Sequence, residues 1–286
     1  MKRSKPTIKK LLIIFAVFII LFSAWMAWSN FTVGLNKITV KSSDLPEGFD
    51  GYRIAQVSDL HNATFGKNNS MLIKLLEKSK PDIIVITGDI IDSRRTDVEV
   101  SASFAESAAK IAPCYYVTGN HEARVKDDYL ILEKRMKDCG ITVLRDESVF
   151  LEKNGDKIRL IGVDDPSFTK LETGRRARTI DDKLGEISQG EGYKILLSHR
   201  PEIFSVYVKH DIDLVFSGHA HGGQFRIPFI GGVAAPNQGW FPQYDAGLYH
   251  KNGTDMIVSR GIGNSYIPVR VNNRPEIIIA SLEKGE

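Results

Sequence analysis

Cysteine is scarce in this chain of 286 residues, which contains only Cys114 and Cys139. Two thiols cannot supply the dense disulfide framework that stabilises small secreted domains, so the fold must depend on a hydrophobic core. The apolar fraction of 42% is ordinary for a globular protein and sufficient for such a core. Because each cysteine lies next to an apolar run, we predict two free thiols, with a disulfide between them as the alternative.

Positive charge is also scarce outside the first ten residues. The chain has 38 Lys and Arg against 35 Asp and Glu, but five of the basic residues precede residue 11, where no acid occurs. The remaining chain therefore carries 33 basic and 35 acidic side chains, a net charge of about −2. A nucleic-acid-binding face needs clustered positive charge, so the composition argues against a nucleic-acid partner.

A long apolar run follows this basic tail at residues 11–28, and Ser23 is its only polar residue. As a helix it would be roughly 27 Å long at ~1.5 Å per residue, close to the ~30 Å hydrocarbon core of a bilayer. We therefore predict a cytoplasmic tail at residues 1–10 and a transmembrane anchor at residues 11–29. The positive-inside rule then places the remainder of this single-pass protein on the extracytoplasmic side of the cell membrane. A buried core helix and a signal peptide cleaved near Ala27-Trp28-Ser29 are the alternatives.

The remaining chain is predicted to comprise a connector at residues 30–52 and one catalytic domain at residues 53–286. Apolar strand-like runs alternate with amphipathic helical segments in the first half of this domain, and strands dominate the second half. This order is typical of an α/β fold in which sheets pack face to face with helices outside them.

Five apolar runs each end in a small residue that is followed by candidate metal ligands. The candidates are Asp59, His61, Asp89, Asn120, His121, His199, His219 and His221. Sites in open α/β sheets form outside the carboxyl ends of the strands, so these side chains are predicted to converge. Five of the seven histidines of the chain occupy these positions, whereas His210 and His250 are expected to be ordinary surface residues. Burying so many polar groups without a cation would be costly.

Carboxylate, amide and imidazole ligands suit divalent Mn, Fe or Zn. Their number exceeds what one tetrahedral zinc needs and suits a pair of ions that share a bridging carboxylate. In such sites the ions lie about 3.5–4 Å apart and hold both the attacking and the leaving oxygen of an in-line displacement. The residues alone therefore predict two divalent ions, without deciding between the metals.

Together these residues resemble the signature of the calcineurin-like metallophosphoesterases. The matching motifs are Asp59-x-His61, Gly88-Asp89-x-x-Asp92, Gly119-Asn120-His121-Glu122, His199 and Gly218-His219-x-His221, in that order. The resemblance covers about residues 53–225. It implies a four-layer α/β/β/α sandwich, and hydrolysis of a phosphoester by in-line attack of a metal-bridging hydroxide.

The resemblance also implies a role for each residue. It assigns Asp59, His61 and His221 to the first metal ion. It assigns Asn120, His199 and His219 to the second metal ion. Asp89 would bridge the two ions. His121 would protonate the leaving oxygen or stabilise the transition state, and Asp92 would orient His121.

The substrate expected from the sequence is a phosphodiester or a pyrophosphate. Protein Ser/Thr phosphatases of this superfamily have Asp-Arg-Gly where Asp92 is followed here by Ser93-Arg94, which argues against that activity. The anchor and the "GHAHGGQ" stretch resemble bacterial membrane-anchored or exported phosphohydrolases, and related branches include enzymes that cleave a lipid-linked precursor. A lipid-linked substrate is therefore a candidate. Phosphomonoesterase, nuclease and non-catalytic metal-binding scaffold are the alternatives.

The roles of four further residues each have two alternatives. Arg200 either binds substrate phosphate or pairs with a neighbouring acid. Glu122 either supports the ligands through a salt bridge or is an ordinary acid at a helix start. Trp240 and Phe241 either pack over a sheet edge or contact a lipid tail or the bilayer.

Overall fold

The computed structural model describes residues 8–168, 178–264 and 266–285. Two six-stranded sheets face each other in it, and helices cover their outer sides. This is the four-layer α/β/β/α sandwich that the sequence predicts. The helices of the described residues are α1 (Ile8–Phe31), α2 (Ser70–Ser79), α3 (Val98–Ala108), α4 (Asn120–Arg124), α5 (Lys126–Asp138), α6 (Ile180–Ile187) and α7 (Phe204–Lys209).

The first sheet contains the three strands that carry the early ligand motifs. In spatial order its strands are β1 (Gly34–Ser42), β16 (Glu276–Lys284), β2 (Arg53–Val57), β3 (Ile83–Thr87), β4 (Cys114–Val117) and β5 (Thr142–Val143). The pairs β2–β3, β3–β4 and β4–β5 are parallel, so their carboxyl ends lie at one edge.

The second sheet contains the two strands that carry the late ligand motifs. In spatial order its strands are β14 (Gly247–Lys251), β15 (Thr254–Val258), β9 (Leu214–Ser217), β8 (Lys194–Leu197), β7 (Asp156–Gly162) and β6 (Glu147–Lys153). Strands β7, β8, β9 and β15 are parallel neighbours, and both outer pairs are antiparallel.

The buried apolar side chains form three layers of core. Ile54 and Val85 of the first sheet pack against Phe216 of the second, and all three are fully buried. The outer layers lie between each sheet and its helices. Each buried side chain of this size contributes about 1.5–3 kcal/mol relative to exposure, so the core rather than a disulfide stabilises the fold. Cys114 and Cys139 are free, in agreement with the prediction.

Part of the predicted connector belongs to the first sheet. Residues 34–42 form β1, which pairs in parallel with β16 over nine residues, from Gly34 opposite Glu276 to Ser42 opposite Lys284. Strand β16 would otherwise expose its edge, and β1 covers it. The helix α1 before this strand is exposed along its apolar length, with a mean hydropathy of 2.6, and is the one candidate span among the described residues.

An irregular segment at residues 224–242 follows the last ligand. It forms two short antiparallel ribbons, β10 (Arg226–Ile227) with β11 (Gly231–Gly232) and β12 (Ala234–Ala235) with β13 (Gly239–Trp240). Trp240 is 75% exposed and Phe241 is 60% exposed. Of the two alternatives, packing of these rings over the sheet edge is wrong, because β13 pairs with β12 instead of a strand of either large sheet and both rings are left exposed.

Candidate metal centre

The carboxyl ends of five strands deliver the predicted ligands to one place. Strand β2 leads into Asp59 and His61, strand β3 leads into Asp89, and strand β4 leads into Asn120. Strands β8 and β9 of the facing sheet lead into His199 and into His219 with His221. All seven side chains are buried, with no more than 5% exposure, and His121 and Asp92 lie beside them at 2% and 1%.

The backbone at most of these ligands is left-handed. The φ angles are 52° at Asp59, 46° at His61, 51° at Asp89, 65° at His219 and 49° at His221. Non-glycine residues rarely adopt positive φ, and each such residue costs on the order of 1–3 kcal/mol. Strain of this kind is concentrated at functional sites, and here it turns the side chain at each strand end back into the site.

Close backbone packing between the sheets requires glycine at the ends of two strands. A Cβ at Gly218 would collide with the Ser58 hydroxyl and the Asp59 carboxylate. Gly88, whose φ is 87°, would place a Cβ 2.8 Å from Nδ1 of His199. Glycine therefore allows the two sheets to approach each other at the metal edge.

The first group of ligands contains Asp59, His61 and His221. The Nε2 atoms of His61 and His221 lie 3.2 Å apart, and Nε2 of His221 lies 3.3 Å from Oδ1 of Asp59. The three ligand atoms lie within 4.8 Å of one another. Burial lowers the pKa of His61 to about 3 and holds the pKa of His221 well below its usual value. Two neutral imidazoles therefore aim their ring nitrogens at one point beside a carboxylate, as a divalent ion requires.

The second group contains Asp89, His199 and His219. Nδ1 of His199 donates to the carbonyl oxygen of Thr87 at 2.8 Å, which fixes this proton and aims Nε2 into the site. Nε2 of His199 lies 3.2 Å from Nδ1 of His219 and 3.2 Å from Oδ2 of Asp89. Burial opposes protonation of His199, but the charges of Asp89 and Asp59 raise its pKa to about 10. A cation is thus strongly favoured at this position.

Asp89 lies between the two groups. Its Oδ2 atom is 3.7 Å from Nε2 of His61 and 3.2 Å from Nε2 of His199. Its Oδ1 atom accepts the backbone N–H of His121 at 2.7 Å, which fixes the carboxylate. This is the position that a bridging ligand would need.

Asn120 provides a test of whether the residues fit a metal. Its Oδ1 atom is buried and has no hydrogen-bond partner. Such an atom costs about 1–3 kcal/mol unless something binds it, and an amide oxygen is a suitable ligand for Mn or Fe. Asn120 lines the same cavity as Asp89 and His219. The donor set therefore fits divalent ions.

One hydrogen bond, between Arg200 and His219, would have to change when a metal ion binds. Nη1 of Arg200 lies 2.8 Å from Nε2 of His219. Arginine only donates hydrogen bonds, so this contact needs a lone pair on Nε2. Binding of a cation at Nδ1 of His219 would place the ring proton on Nε2 and so break this hydrogen bond.

The environment of His121 fixes its tautomer. Its Nδ1 atom accepts the backbone N–H of Ser93 at 3.0 Å, so a neutral His121 carries its proton on Nε2. Asp92 lies at 3.5 Å from Nδ1, and its Oδ1 accepts the N–H of Arg94 at 2.9 Å. The backbone of Ser93 thus makes the direct contact, and Asp92 shapes the turn that carries it. A third group, His61 with Asp92 and His121, also has metal-ligand spacing.

Glu122 supports the ligand loops rather than only marking a helix start. Its carboxylate accepts the backbone N–H groups of Gly119 at 2.7 Å, Asp89 at 3.0 Å and Ile90 at 2.8 Å. Burial, and then the charge of Asp89, raises the pKa of Glu122 to about 7, while the N–H donors act in the opposite direction. Glu122 therefore connects the loop after β3 to the start of α4.

Arg200 pairs with an acid and also faces the site. Its Nη2 and Nε atoms donate to both oxygens of Asp165, at 3.0 and 2.5 Å. The cavity over the ligands has a volume of about 180 Å³. Sequence reasoning missed four of its lining residues, namely Arg124, Pro236, Asn237 and Tyr266. Only Arg124 had a usable signal, because it follows His121 by three positions on one helix and so shares its face.

Comparison with known proteins agrees with this geometry. Residues 52–223 match the calcineurin-like phosphoesterase family. The uncharacterized metallophosphoesterase YkuE of Bacillus subtilis is 32% identical over 86% of this chain and 84% of its own length. The phosphodiesterase YaeI of Escherichia coli is 29% identical over 81% of this chain and 82% of its own.

Two further similarities are to a relative described as a transmembrane protein and to a solved structure. A zebrafish transmembrane protein with a metallophosphoesterase domain (Danio rerio) is 30% identical over 84% of this chain and 55% of its own length. Among solved structures, the Thermus thermophilus sulfate thiohydrolase SoxB aligns with a TM-score of 0.50 at 12% identity, over 76% of this chain and 53% of its own. At that identity the likeness shows the fold alone.

Proposed function

Because the chain belongs to the calcineurin-like phosphoesterase family, we propose that it is a membrane-anchored phosphodiesterase with two divalent metal ions. The ligands would be Asp59, His61 and His221 for one ion, Asn120, His199 and His219 for the other, and Asp89 for both. The observation that carries the proposal is Oδ2 of Asp89, which faces one histidine from each group. A single ion would leave one of the two groups without a cation.

When bound, a pair of divalent ions lowers the pKa of coordinated water and polarises the phosphoryl oxygens. The remaining chemistry belongs to the chain. His121 lines the cavity and carries an N–H at Nε2, so it is the candidate hydrogen-bond donor that would stabilise charge on the leaving oxygen in the transition state. Asp92 orients His121 indirectly, because its Oδ1 atom accepts the N–H of Arg94 and so shapes the turn whose Ser93 N–H donates to Nδ1.

The charge of the cavity favours a phosphodiester over a phosphomonoester. The charge of Arg200 is offset by Asp165, so Arg124, 3.5 Å from Nε2 of His121, is the cation that we assign to substrate phosphate. A phosphomonoester carries nearly two negative charges at neutral pH, because its second pKa is about 6. Uncharged Pro236, Asn237 and Tyr266 line the remainder of the cavity and would accept a second ester group.

We propose that α1 anchors the protein in the cell membrane with the catalytic domain on the extracytoplasmic side. Its 24 residues give a length of about 36 Å, enough to cross the hydrocarbon core. Basic residues lie before it and in its first turn, and Trp25 and Trp28 lie near its end, as the positive-inside rule and the aromatic belt favour. A lipid-linked phosphodiester is therefore a substrate to test.

The proposal is tested with the full chain in detergent micelles, loaded with Mn²⁺. We expect hydrolysis of bis(p-nitrophenyl) phosphate to exceed that of the monoester, and Asp89→Asn to abolish it. Asp138→Asn on the exposed face of α5 is the matched control. Preference for the monoester would contradict the diester assignment, and absence of turnover on every phosphoester tried would contradict the enzyme assignment.

A further inference from the structure

The anchor joins the sandwich at the edge that carries the metal ligands. Strand β1 is parallel to β16, and β16 is antiparallel to β2. The beginning of β1 therefore lies at the same edge as the carboxyl end of β2. Gly34, the first residue of β1, lies two strands from β2, which is about 10 Å at ~4.8 Å between strands.

Hydrogen bonds connect the end of the anchor to a ligand loop. The side chain of Asn30 donates to the carbonyl of Arg270 at 2.9 Å and accepts its backbone N–H at 2.8 Å. The buried guanidinium of Arg270 donates to the carbonyl of Gly263. The N–H of Gly263 in turn donates to the carbonyl of Asp59 at 2.7 Å. Helix α1 therefore ends in a fixed position beside the metal edge.

Residues 266–269, which we call the wedge, lie between the anchor and the cavity. Their sequence is Tyr-Ile-Pro-Val, and Tyr266 lines the metal cavity while being 83% exposed. At the other end of the wedge, Pro268 and Val269 border a cavity of about 430 Å³ against the anchor. The anchor residues at this cavity are Phe22, Ser23, Met26, Ala27, Asn30 and Phe31. The side chain of Gln224, three residues after the ligand His221, donates to the wedge carbonyls at 2.8 Å.

The position of the wedge along the anchor indicates its depth. Trp28 favours the membrane interface, and the guanidinium of Arg274 lies 4.7 Å from its ring, as expected where charge meets headgroups. Phe22 precedes Trp28 by six residues, which is about 9 Å deeper along the helix. The cavity extends along the anchor from Phe31 to Phe22, so it reaches past the level of Trp28 toward the lipid, and Pro268 and Val269 of the wedge border it.

We infer that the wedge inserts into the outer leaflet beside the anchor, so that the metal cavity opens at the membrane surface toward the bilayer. The inference rests on the proposed membrane anchoring. It identifies the bilayer as the partner of the wedge. The substrate class that fits is an amphiphilic phosphoester whose phosphate lies at headgroup depth, with Tyr266 between the phosphate and the lipid.

The test uses the full chain with Cys139→Ser, reconstituted in phosphatidylcholine–phosphatidylglycerol vesicles. Ile267→Cys carries an environment-sensitive nitrobenzoxadiazole label, with Val269→Cys as a second wedge position. Lys157→Cys, in the strand that begins at the opposite edge of the second sheet, is the control. We expect spin-labelled lipid to quench both wedge labels but not the control, and aqueous iodide to quench only the control.

Equal quenching of the wedge and control labels by iodide would overturn the inference. A label at Ile20→Cys checks the anchor, and failure of lipid to quench it would overturn both the anchor and the wedge. None of these fluorescence-quenching measurements depends on catalytic turnover. Loss of diester hydrolysis would therefore overturn the proposed activity separately, while lipid quenching at the wedge would still support its insertion.

Discussion

The two ends of the sandwich differ in the residues that adopt unusual backbone conformations. At the end opposite the metal site, positive φ occurs at Asn154 and Gly155, in the two-residue turn between β6 and β7. These are the residues that such a turn prefers, so they impose little strain. At the metal end, positive φ occurs at aspartate and histidine ligands. The β6–β7 turn therefore follows local turn chemistry, whereas the candidate ligands accept strain that turns their side chains into the site.

The largest difference in activity between the two ends is expected from Asp89→Asn at the metal end. The substitution keeps the size of the side chain but removes the charge shared by the two ligand groups. We expect diester turnover to fall by about 10³-fold or more, as when a group that organises transition-state charge is lost. Asp156→Asn at the opposite end, where Oδ2 accepts the N–H of Gly48 at 2.7 Å, should leave turnover unchanged. Similar losses in both variants would contradict a special role for the metal end.

His121→Asn should give the next largest effect. Loss of the hydrogen-bond donor to the leaving oxygen is expected to reduce turnover by about 10²-fold for a poor leaving group, and much less for p-nitrophenolate, which carries its negative charge without such help. The measurement is the dependence of kcat on the pKa of the leaving alcohol. His250→Asn, on the exposed hairpin, is the control. An equal loss for every leaving group would assign His121 to metal binding or structure instead.

Glu122→Gln should weaken metal binding by about 10- to 100-fold, the range typical of residues that orient ligands. The amide retains one oxygen but places an NH₂ group against the backbone N–H donors that Glu122 now accepts. Competition with a chelator measures the affinity. Glu152→Gln in β6, which loses only an exposed ion pair with Lys157, should bind metal as the wild type does.

The smallest expected effect is on stability at the opposite end. Asp156→Asn should reduce the free energy of unfolding by about 1 kcal/mol, because the charge that strengthens its bond to Gly48 is lost. Urea denaturation of the full chain in micelles measures this change. An unchanged free energy of unfolding would show that the hydrogen bond is not required.

The convergence of the candidate ligands was predictable from the sequence because each follows an apolar run directly. A strand fixes where its carboxyl end lies, so the convergence of Asp59, Asp89 and His219 follows from local patterns. The resemblance to a known family added the roles.

Other features depend on contacts between distant parts of the chain and could not be predicted. Glu122 accepts N–H groups from the loop after β3, 33 positions earlier in the chain, and Arg200 pairs with Asp165 from a different strand end. Tyr266 reaches the cavity from a loop 45 positions after His221 that no motif marks. The exposure of Trp240 depends on how two short ribbons pair, which residue type does not determine.

The central claim is that two ions share Asp89. Electron paramagnetic resonance of the Mn²⁺-loaded full chain, with the metal content measured in parallel, tests it most directly. We predict two ions per chain and the spectrum of an exchange-coupled pair, both lost in Asp89→Asn. One ion per chain, or two ions without coupling, would contradict the account.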